Sequence, residues 1–420
     1  TYLIMEVSKE LKLIDPKINL RIDSHTPDDL LELGCELTKC GLGFPQYSND
    51  EVVIPALVKK GYALKDARNY TVAACWEFII PGKGIEIVNQ GAVSMPYAVD
   101  DAFEKAMAAR GSFRPKKFLS LIQKSMEKQI KNILRKRDIR TLPSPFASIF
   151  FHGSIENRRD ASECVPYRNI GIHGAGSANA ADALAAIRLT YEEEGTNGLK
   201  KLLEAKRRNF EGCEELRHRL HDEMPKVGNA DAAVDSELRF LFDCFADAAD
   251  KFSDDKRKIR PGSGSAMYYI WLVNNNSPWA FEPKVKATAD GRLNGEAFST
   301  SLAPSQGIKV DGVLSVLKSY SVIDYSRIMN GGPITIELSP SVFKSDDGIK
   351  KLAGLIKYFV KLGDQQLQLN VLDASVLEDA IAHPEKHRNL IVRVWGWSGY
   401  FTELAPEYQR HVLNRHKYTL

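Results

Sequence analysis

Apolar residues recur with two different spacings along the chain, and each spacing predicts one type of secondary structure. A repeat of three or four positions is typical of amphipathic helices, because such residues share one helix face. We therefore predict helices at residues 51–58, 101–138, 179–191, 199–220 and 350–362. Short apolar or alternating runs predict strands, and they occur at residues 70–74, 144–152, 334–338, 365–371 and 390–394.

Residues 41–50 interrupt this pattern. They include two glycines, a proline and several small polar residues, which are typical of loops rather than of helices or strands. We predict one long loop here. The chain has no internal repeat, low-complexity tract or obvious linker, so the pattern alone does not divide it into domains.

The composition is that of a globular protein and argues against several classes of partner. Of the 420 residues, 44% are hydrophobic and 26% charged, and no apolar run reaches the length of a membrane span. The 57 basic and 54 acidic residues give a net charge of +3, which does not indicate a nucleic-acid partner. Six scattered cysteines predict a reducing compartment, and no signal peptide is recognisable, so we expect a cytoplasmic protein.

One glycine near the end of the chain is unusual for its position. Gly396 follows the predicted strand at residues 390–394 and stands between Trp395 and Trp397. Glycine costs backbone entropy, so its presence indicates a tight turn, a close approach of another group or chemistry at its own α-carbon. From this segment alone, a plain turn glycine is the simplest interpretation.

A cysteine and a glutamate follow the predicted strand at residues 70–74. If the chain stays extended, Cys75 and Glu77 place their side chains on one face. A buried core cysteine beside a solvent-facing glutamate explains the same spacing, and the spacing alone favours that alternative. However, Glu77 lies in an apolar stretch with Trp76 and Phe78, where burying a carboxylate needs a reason.

Other candidate sites are weaker. The glycine-rich segment around His173 lacks the spacing and the following acidic residue of a dinucleotide-binding fingerprint, so we interpret His173 as structural. His411 and His416 do not share a helix face well and are not expected to bind a metal together. Cys35 and Cys40 have no second pair of ligands at zinc spacing, so no metal site is predicted.

Residues 393–401 read RVWGWSGYF and resemble the radical-bearing loop of the glycyl radical enzymes, the pyruvate formate-lyase superfamily. The segment 75–77 is similar to the active-site cysteine segment of that family. Further stretches resemble family landmarks in the same order along the chain, namely residues 44–54, 66–70, 290–292, 366–371 and 383–386. The resemblance covers essentially the whole chain.

This resemblance implies an α/β fold, the C-terminal part of a ten-stranded β/α barrel with surrounding helices. In that family two antiparallel half-barrels enclose the cysteine and glycine loops. Residues 1–300 would carry the barrel portion with the cysteine loop, and residues 301–420 would form the glycine radical domain. Family enzymes are considerably longer, and this chain begins within a helical pattern. We therefore expect a separate N-terminal half, or a fragment of a longer protein.

The resemblance also assigns roles to three residues. Gly396 corresponds to the glycine that stores a radical, and Cys75 to the cysteine that forms a transient thiyl radical. Ala74 precedes Cys75 where formate-lyases carry a second cysteine, so formate-lyase chemistry is disfavoured. The Cys-x-Glu pattern resembles the eliminating branch of the family, in which the glutamate, here Glu77, removes the proton of a substrate hydroxyl.

We therefore predict an anaerobic glycyl radical lyase or dehydratase, with a carbon–oxygen lyase as the leading interpretation. It would eliminate a C–O, C–N or C–S group beside a hydroxylated carbon of a small molecule. A radical S-adenosylmethionine activase would install the oxygen-sensitive radical on Gly396, so no bound cofactor is expected. The expected assembly is a homodimer.

Two alternatives remain within the same resemblance. One is a decarboxylase of aryl- or alkyl-acetates that uses Cys75 and Glu77, and the other is a non-catalytic subunit of a split enzyme. Bulky residues also depart from the usual family pattern at four positions beside the expected site, namely Trp76, Phe78, Trp395 and Trp397. Substrates of known members therefore do not transfer to this chain.

Overall fold

The computed structural model describes the chain except at residues 74, 137–141, 256, 265–284, 346, 395 and 420. Trp395, one of the two tryptophans beside Gly396, and Ala74 thus lie outside the described residues. Helices alternate with short strands throughout. No helix in the described part of the chain is both long enough and apolar enough to cross a membrane.

The strands are short, and several lie far apart in sequence from their partners. In chain order they are β1 (Asn19–Ile22), β2 (Gln46–Asn49), β3 (Thr71–Ala73), β4 (Glu77–Ile79), β5 (Ile87–Ser94), β6 (Ile170–Ala175), β7 (Ile259–Ser263), β8 (Ile334–Leu338), β9 (Gln366–Val371), β10 (Ile391–Arg393), β11 (Ser398–Tyr400) and β12 (Lys417–Tyr418).

Two larger sheets and two hairpins organise these strands. The larger sheet has the order β1-β2-β9-β8-β12 and is parallel except where β2 pairs antiparallel with β9. A second, parallel sheet has the order β5-β6-β7. The hairpins β3-β4 and β10-β11 are antiparallel and carry the segments that the sequence singled out.

The α-helices follow the predicted periodicity in most places. Their bounds are Tyr2–Leu11, Asp28–Lys39, Asp50–Lys59, Leu64–Ala67, Met95–Ala108, Pro115–Lys136, Pro145–Ser148, Ser154–Asn157, Ala161–Cys164, Ser177–Arg207, Glu214–His218, Ala232–Lys251, Val313–Tyr320, Gly348–Leu362, Ala374–Ala382 and Pro406–Leu413. Single turns of 3₁₀-helix occupy Pro340–Phe343, Pro384–Lys386 and Phe401–Glu403, and Arg219–Glu223 forms a π-helical turn.

Two sequence predictions of element type are wrong. Residues 41–50 are not one loop, because β2 (Gln46–Asn49) pairs with β1 on one side and with β9 on the other. These distant strands supply backbone partners that the local sequence does not reveal. Residues 144–152 form no strand, because Pro145 opens a helical turn and Asp160 accepts hydrogen bonds from Ser144 N and Ser148 Oγ.

The predicted helices at 101–138 and 199–220 are each interrupted. Gly111, with φ of 96°, separates Met95–Ala108 from Pro115–Lys136. The second prediction starts inside the long helix Ser177–Arg207, which ends before the left-handed residues Asn209 and Phe210. In both places the helical spacing of apolar residues continues past the point where the helix ends, so the spacing alone does not predict the break.

The β10-β11 hairpin has an apolar core of its own. Val392, Val394, Phe401, Leu377 and Val412 form a buried cluster distinct from the main core of the chain. The main core lies between the sheets and the surrounding helices. The hairpin is joined to the rest by polar contacts as well, one of which runs from Ser398 Oγ to the backbone oxygen of Leu42 at 3.0 Å.

A fully buried arginine fastens β4 to β7. Arg260 donates from Nη2 to the backbone oxygens of Phe78 (2.7 Å) and Met329 (3.0 Å), and from Nη1 to Glu86 Oε2 (2.6 Å). The side chains of Arg260 and Glu86 are each 1% exposed. A buried charge needs its counter-ion, so this pair stabilises the strand that begins at Glu77.

We expect Glu86→Ala to lower the free energy of unfolding by about 3–5 kcal/mol, because it leaves the guanidinium of Arg260 buried without its counter-ion. Urea denaturation measures the change. The matched control is Glu127→Ala, which breaks a surface pair with Lys251 and is expected to cost about 0–1 kcal/mol. Equal losses for the two variants would contradict the role given to Arg260.

Candidate active site

Cys75 lies in the turn of the β3-β4 hairpin, in which Ala73 pairs with Glu77. The next residue, Trp76, is 1% exposed and fixes the turn to the core. Cys75 itself is half-buried. The predicted short strand before Cys75 is therefore confirmed as β3, and the turn of its hairpin carries the thiol.

Gly396 lies in the turn of the other hairpin and packs directly against Cys75. A Cβ added to Gly396 would lie 1.9 Å from Cys75 Cβ and 2.1 Å from Cys75 Sγ, so no larger residue fits without displacing one of the two turns. The φ of Gly396 is outside the left-handed region, so turn geometry does not require glycine. Of the three explanations left open by the sequence, close approach is the one that this packing supports directly.

Glu77 is completely buried and folds back onto the cysteine turn. Its Oε2 accepts hydrogen bonds from the backbone N–H groups of Cys75 and Trp76, both at 3.1 Å. Its Oε1 accepts no hydrogen bond from any residue that the structure describes. This oxygen lies 3.2 Å from His173 Nε2. The alternative of a solvent-facing glutamate is thus wrong, and one carboxylate oxygen remains able to accept a proton.

Burial keeps Cys75 protonated. Burial, followed by the nearby charge of Glu77, raises the pKa of the Cys75 thiol to about 12, while Arg393, Lys17 and the Gly396 N–H partly offset the rise. A protonated thiol has an S–H bond from which a hydrogen atom can be transferred, whereas a thiolate does not. The environment therefore favours hydrogen-atom chemistry over the nucleophilic chemistry of a thiolate.

Gln366, on β9, binds the backbone of the β3-β4 turn that carries Cys75, here called the cysteine turn. Its Nε2 donates to the backbone oxygen of Trp76 at 3.0 Å and to Ser48 Oγ at 3.2 Å, while its Oε1 accepts from Gly332 N at 2.9 Å. The sequence placed Gln366 in a stretch similar to a family landmark, but its partners come from three distant segments. Its contact with the cysteine turn was therefore not predicted.

Arg415 supports the glycine turn in a similar way. It donates from Nη1 to the backbone oxygen of Arg393 at 2.9 Å and to Glu337 Oε1 at 2.8 Å, and from Nη2 to the backbone oxygen of Val394. Arg393 itself is buried, and burial lowers the pKa of its guanidinium to about 10. No sequence signal pointed to Arg415, because it lies outside the resemblance to the glycine loop.

The remaining sequence candidates occupy different surroundings. Phe78 is buried in a cluster with Tyr70 and Val53, and Trp397 is partly exposed at the surface of the glycine hairpin. His411 is buried and contacts Gln306 through Nδ1. Among the described residues no group of three potential metal ligands comes together.

Comparison with protein families gives two matches that together cover most of the chain. The family model described as Pyruvate formate lyase-like matches residues 1–112 and 115–270. The model described as Glycine radical matches residues 298–402. The second match includes Gly396, and the first includes Cys75 and Glu77.

Individual relatives are similar over the whole chain. Trans-4-hydroxy-L-proline dehydratase of Clostridioides difficile is 26% identical over 444 residues, covering 100% of this chain and 54% of the relative. (2S)-3-sulfopropanediol dehydratase of Klebsiella oxytoca is 25% identical over 441 residues, covering 99% and 52%. This chain thus spans about half the length of these relatives.

A solved structure confirms the α/β fold expected from the resemblance. The glycerol-bound B12-independent glycerol dehydratase of Clostridium butyricum superposes with a TM-score of 0.90 at 27% identity. The match covers 100% of this chain and 55% of that one. The described elements therefore correspond to part of a glycyl radical enzyme fold.

Cys75 should react slowly with iodoacetamide. With a pKa of about 12, about one thiol in 10,000 is ionised at pH 8, against roughly a quarter for an ordinary cysteine. Mass spectrometry of digested protein should show alkylation of Cys75 roughly a thousand-fold slower than that of a free thiol peptide, and its rate should rise as the pH rises. A pH-independent rate between pH 7 and 9 would contradict a protonated thiol.

Gly396→Ala should destabilise the protein, because the new methyl group overlaps Cys75. We expect a loss of about 1–3 kcal/mol in the free energy of unfolding, measured by urea denaturation. The matched control is Gly354→Ala, in an exposed helical position where an added Cβ meets nothing within 4 Å. That control should be neutral or slightly stabilising, and a similar loss in both variants would argue against the close packing of the two turns.

Proposed function

The chain belongs to the pyruvate formate lyase-like family of glycyl radical enzymes, and from this membership we propose that it is the C-terminal catalytic part of a glycyl radical dehydratase. The observation that carries the proposal is the packing of Gly396 against Cys75, with 2.1 Å between an added glycine Cβ and the sulfur. A hydrogen atom can pass between two groups only when they are in contact, and these two are.

Gly396 would store the radical between turnovers. An unpaired electron on a glycine α-carbon is delocalised over the flanking amide groups, and no side chain opposes the planar geometry. In the first step the S–H bond of Cys75 breaks and a C–H bond forms on Gly396, which leaves a thiyl radical. The protonated state of Cys75 supports this direction of transfer.

The thiyl radical of Cys75 would then take hydrogen from the hydroxyl-bearing carbon of the substrate. Glu77 would remove the hydroxyl proton through Oε1, which accepts no hydrogen bond from the described residues, since a desolvated carboxylate is a competent base. The resulting ketyl expels the neighbouring hydroxyl, and the product radical takes a hydrogen atom back from Cys75. We propose a C–O bond as the one cleaved, because the two relatives described above, which match 99–100% of this chain, are named as dehydratases.

The substrate pocket would be completed by a segment that corresponds to the other half of the relatives. The exposed apolar residues Leu3, Ile4, Val7, Leu11 and Leu13 lie on and beside the first helix, and a patch of this kind favours contact with another polypeptide segment. We also propose a division into a barrel portion at residues 1–300 and a glycine radical domain at residues 301–420.

Installation of the radical requires a partner. We propose a radical S-adenosylmethionine activase in this role, as membership in the glycyl radical enzyme family implies. A homodimeric assembly and a cytoplasmic location remain part of the same proposal. The glycine radical family match supports the radical itself.

Cys75→Ala should leave the radical intact and abolish turnover. After activation in the presence of the completing segment, electron paramagnetic resonance should show the doublet of a glycyl radical in both proteins, because Gly396 is unchanged. Water elimination from a panel of small diols and hydroxylated amino acids should fall at least 1,000-fold in the variant. Cys213→Ala, at a partly exposed cysteine distant in sequence, is the matched control.

Three outcomes would count against this function. Turnover that survives in Cys75→Ala would mean that Cys75 is misassigned. Carbon dioxide release from arylacetates without dehydration of any diol would favour the decarboxylase. The absence of a doublet in the wild-type protein, with an activase shown to be competent on another enzyme, would favour a non-catalytic subunit.

A further inference from the structure

His173 lies against Glu77, with 3.2 Å between Nε2 of the ring and Oε1 of the carboxylate. It lies on β6, the central strand of the β5-β6-β7 sheet, and its side chain is fully buried. Its ring stands perpendicular to the ring of Trp76, with 6.5 Å between the centroids. The sequence suggested a structural histidine, but this position places an ionisable side chain directly against Glu77.

The contacts of His173 define which ring nitrogen carries a proton. Nδ1 lies 2.6 Å from the backbone oxygen of Ser263, and a carbonyl oxygen can only accept, so Nδ1 carries the hydrogen. The other nitrogen, Nε2, lies 3.2 Å from Glu77 Oε1 and 3.4 Å from Asn330 Nδ2. Asn330 Nδ2 is also bonded to the backbone oxygen of Val88 at 2.8 Å.

Nε2 and Oε1 would repel each other if both carried only lone pairs. In a buried site this repulsion is not relieved by solvent. One proton between the two atoms removes it, whether as an imidazolium beside a carboxylate or as an imidazole beside a carboxylic acid. The 3.2 Å separation therefore fits an ion pair of His173 and Glu77 that holds one proton in common without an in-line hydrogen bond.

The hydrogen bonds of Glu77 place the shared proton at Oε1, the carboxylate oxygen that the hairpin backbone does not bind. Oε2 is held by the backbone N–H groups of Cys75 and Trp76, which fixes the plane of the carboxylate. Oε1 is then the oxygen that faces His173, and it is buried with the rest of the side chain. Any proton exchanged with a substrate at Oε1 passes next to Nε2.

We propose that His173 is a positioning residue that keeps one proton on the pair formed by its own ring and the Glu77 carboxylate. Glu77 can then both accept and return protons during elimination. The proposal rests on the dehydratase function given above. When the hydroxyl O–H bond of the substrate radical breaks, its proton goes to Oε1. When the C–O bond breaks, the electron pair leaves with the hydroxide, which takes a proton from the pair and departs as water.

This exchange leaves the protein unchanged at the end of each turnover. The pair gains one proton and gives one, so no net charge accumulates in the buried site. A carboxylate alone would have to hold the substrate proton until the leaving group took it from the same oxygen. With His173 beside it, Glu77 can hand over one proton while holding another.

Two substitutions at His173 separate this role from simple packing. The amide of His173→Asn can still donate to the backbone oxygen of Ser263, but it places nothing basic at the Nε2 position. The longer amide of His173→Gln reaches toward Glu77 but cannot take up a proton at neutral pH. His416→Gln is the matched control, since His416 Nε2 also contacts a backbone oxygen, that of Ser305, at 2.9 Å.

In the activated protein with its completing segment, we expect kcat to fall about 100-fold in both His173 variants, in the range found for acid–base groups. KM should change less than threefold, and the glycyl radical doublet should reach the wild-type yield. The control variant should keep kcat within twofold. A kcat for His173→Asn of at least half the wild-type value would overturn the proposal. Loss of folding or of the radical in both variants would also overturn it, because His173 would then have a purely structural role.

A second measurement does not depend on turnover. In the resting wild-type protein, proton NMR should show a low-field signal from the shared hydrogen, and this signal should be absent from Glu77→Gln and from His173→Gln. Its absence from the wild-type protein would overturn the shared proton. If the signal is present but the activated protein eliminates nothing, the dehydratase function fails while the paired proton stands.

Discussion

The contact between Gly396 and Cys75 is the constraint on which the rest of the structure depends. Two hairpins whose strands lie more than 300 positions apart in sequence meet at their turns, and the absence of a side chain on Gly396 is what allows them to meet. Each hairpin is then held by side chains from other elements, Gln366 under the cysteine turn and Arg415 under the glycine turn. Displacement of either support would move one of the two turns away from the other.

Burial sets the chemistry of this contact. The same low-polarity surroundings keep the Cys75 thiol protonated and bring Glu77 into a pair with His173. Burial also makes an unpaired polar group costly, and the backbone oxygens of Trp76 and Phe78 are bonded to Gln366 and Arg260. These two hydrogen bonds hold the backbone on both sides of Glu77.

The chain spans about half the length of its relatives, and the structure reflects this. The buried parts of the site, around Glu77 and His173, are enclosed by this chain alone. Cys75 is half-buried at the edge, and an apolar helix face nearby in sequence to β1 is exposed. This chain therefore encloses Glu77 and His173 by itself and leaves part of Cys75 and one apolar helix face exposed.

The sequence by itself determined the identities of the central residues and most of the elements that carry them. Apolar periodicity predicted β8, β9 and the helix Gly348–Leu362, because the spacing of apolar residues within each segment defines the face that packs against the core. It missed β2, whose partners are distant strands, and it extended helices across Gly111, because hydrogen bonding between remote segments leaves no local pattern. The RVWGWSGYF motif and the Cys-x-Glu pattern pointed to Gly396, Cys75 and Glu77. Only the tertiary structure decided that Gly396 touches Cys75, that Glu77 is buried and that His173 lies against it, since each of these facts is a distance between segments that the linear order keeps apart.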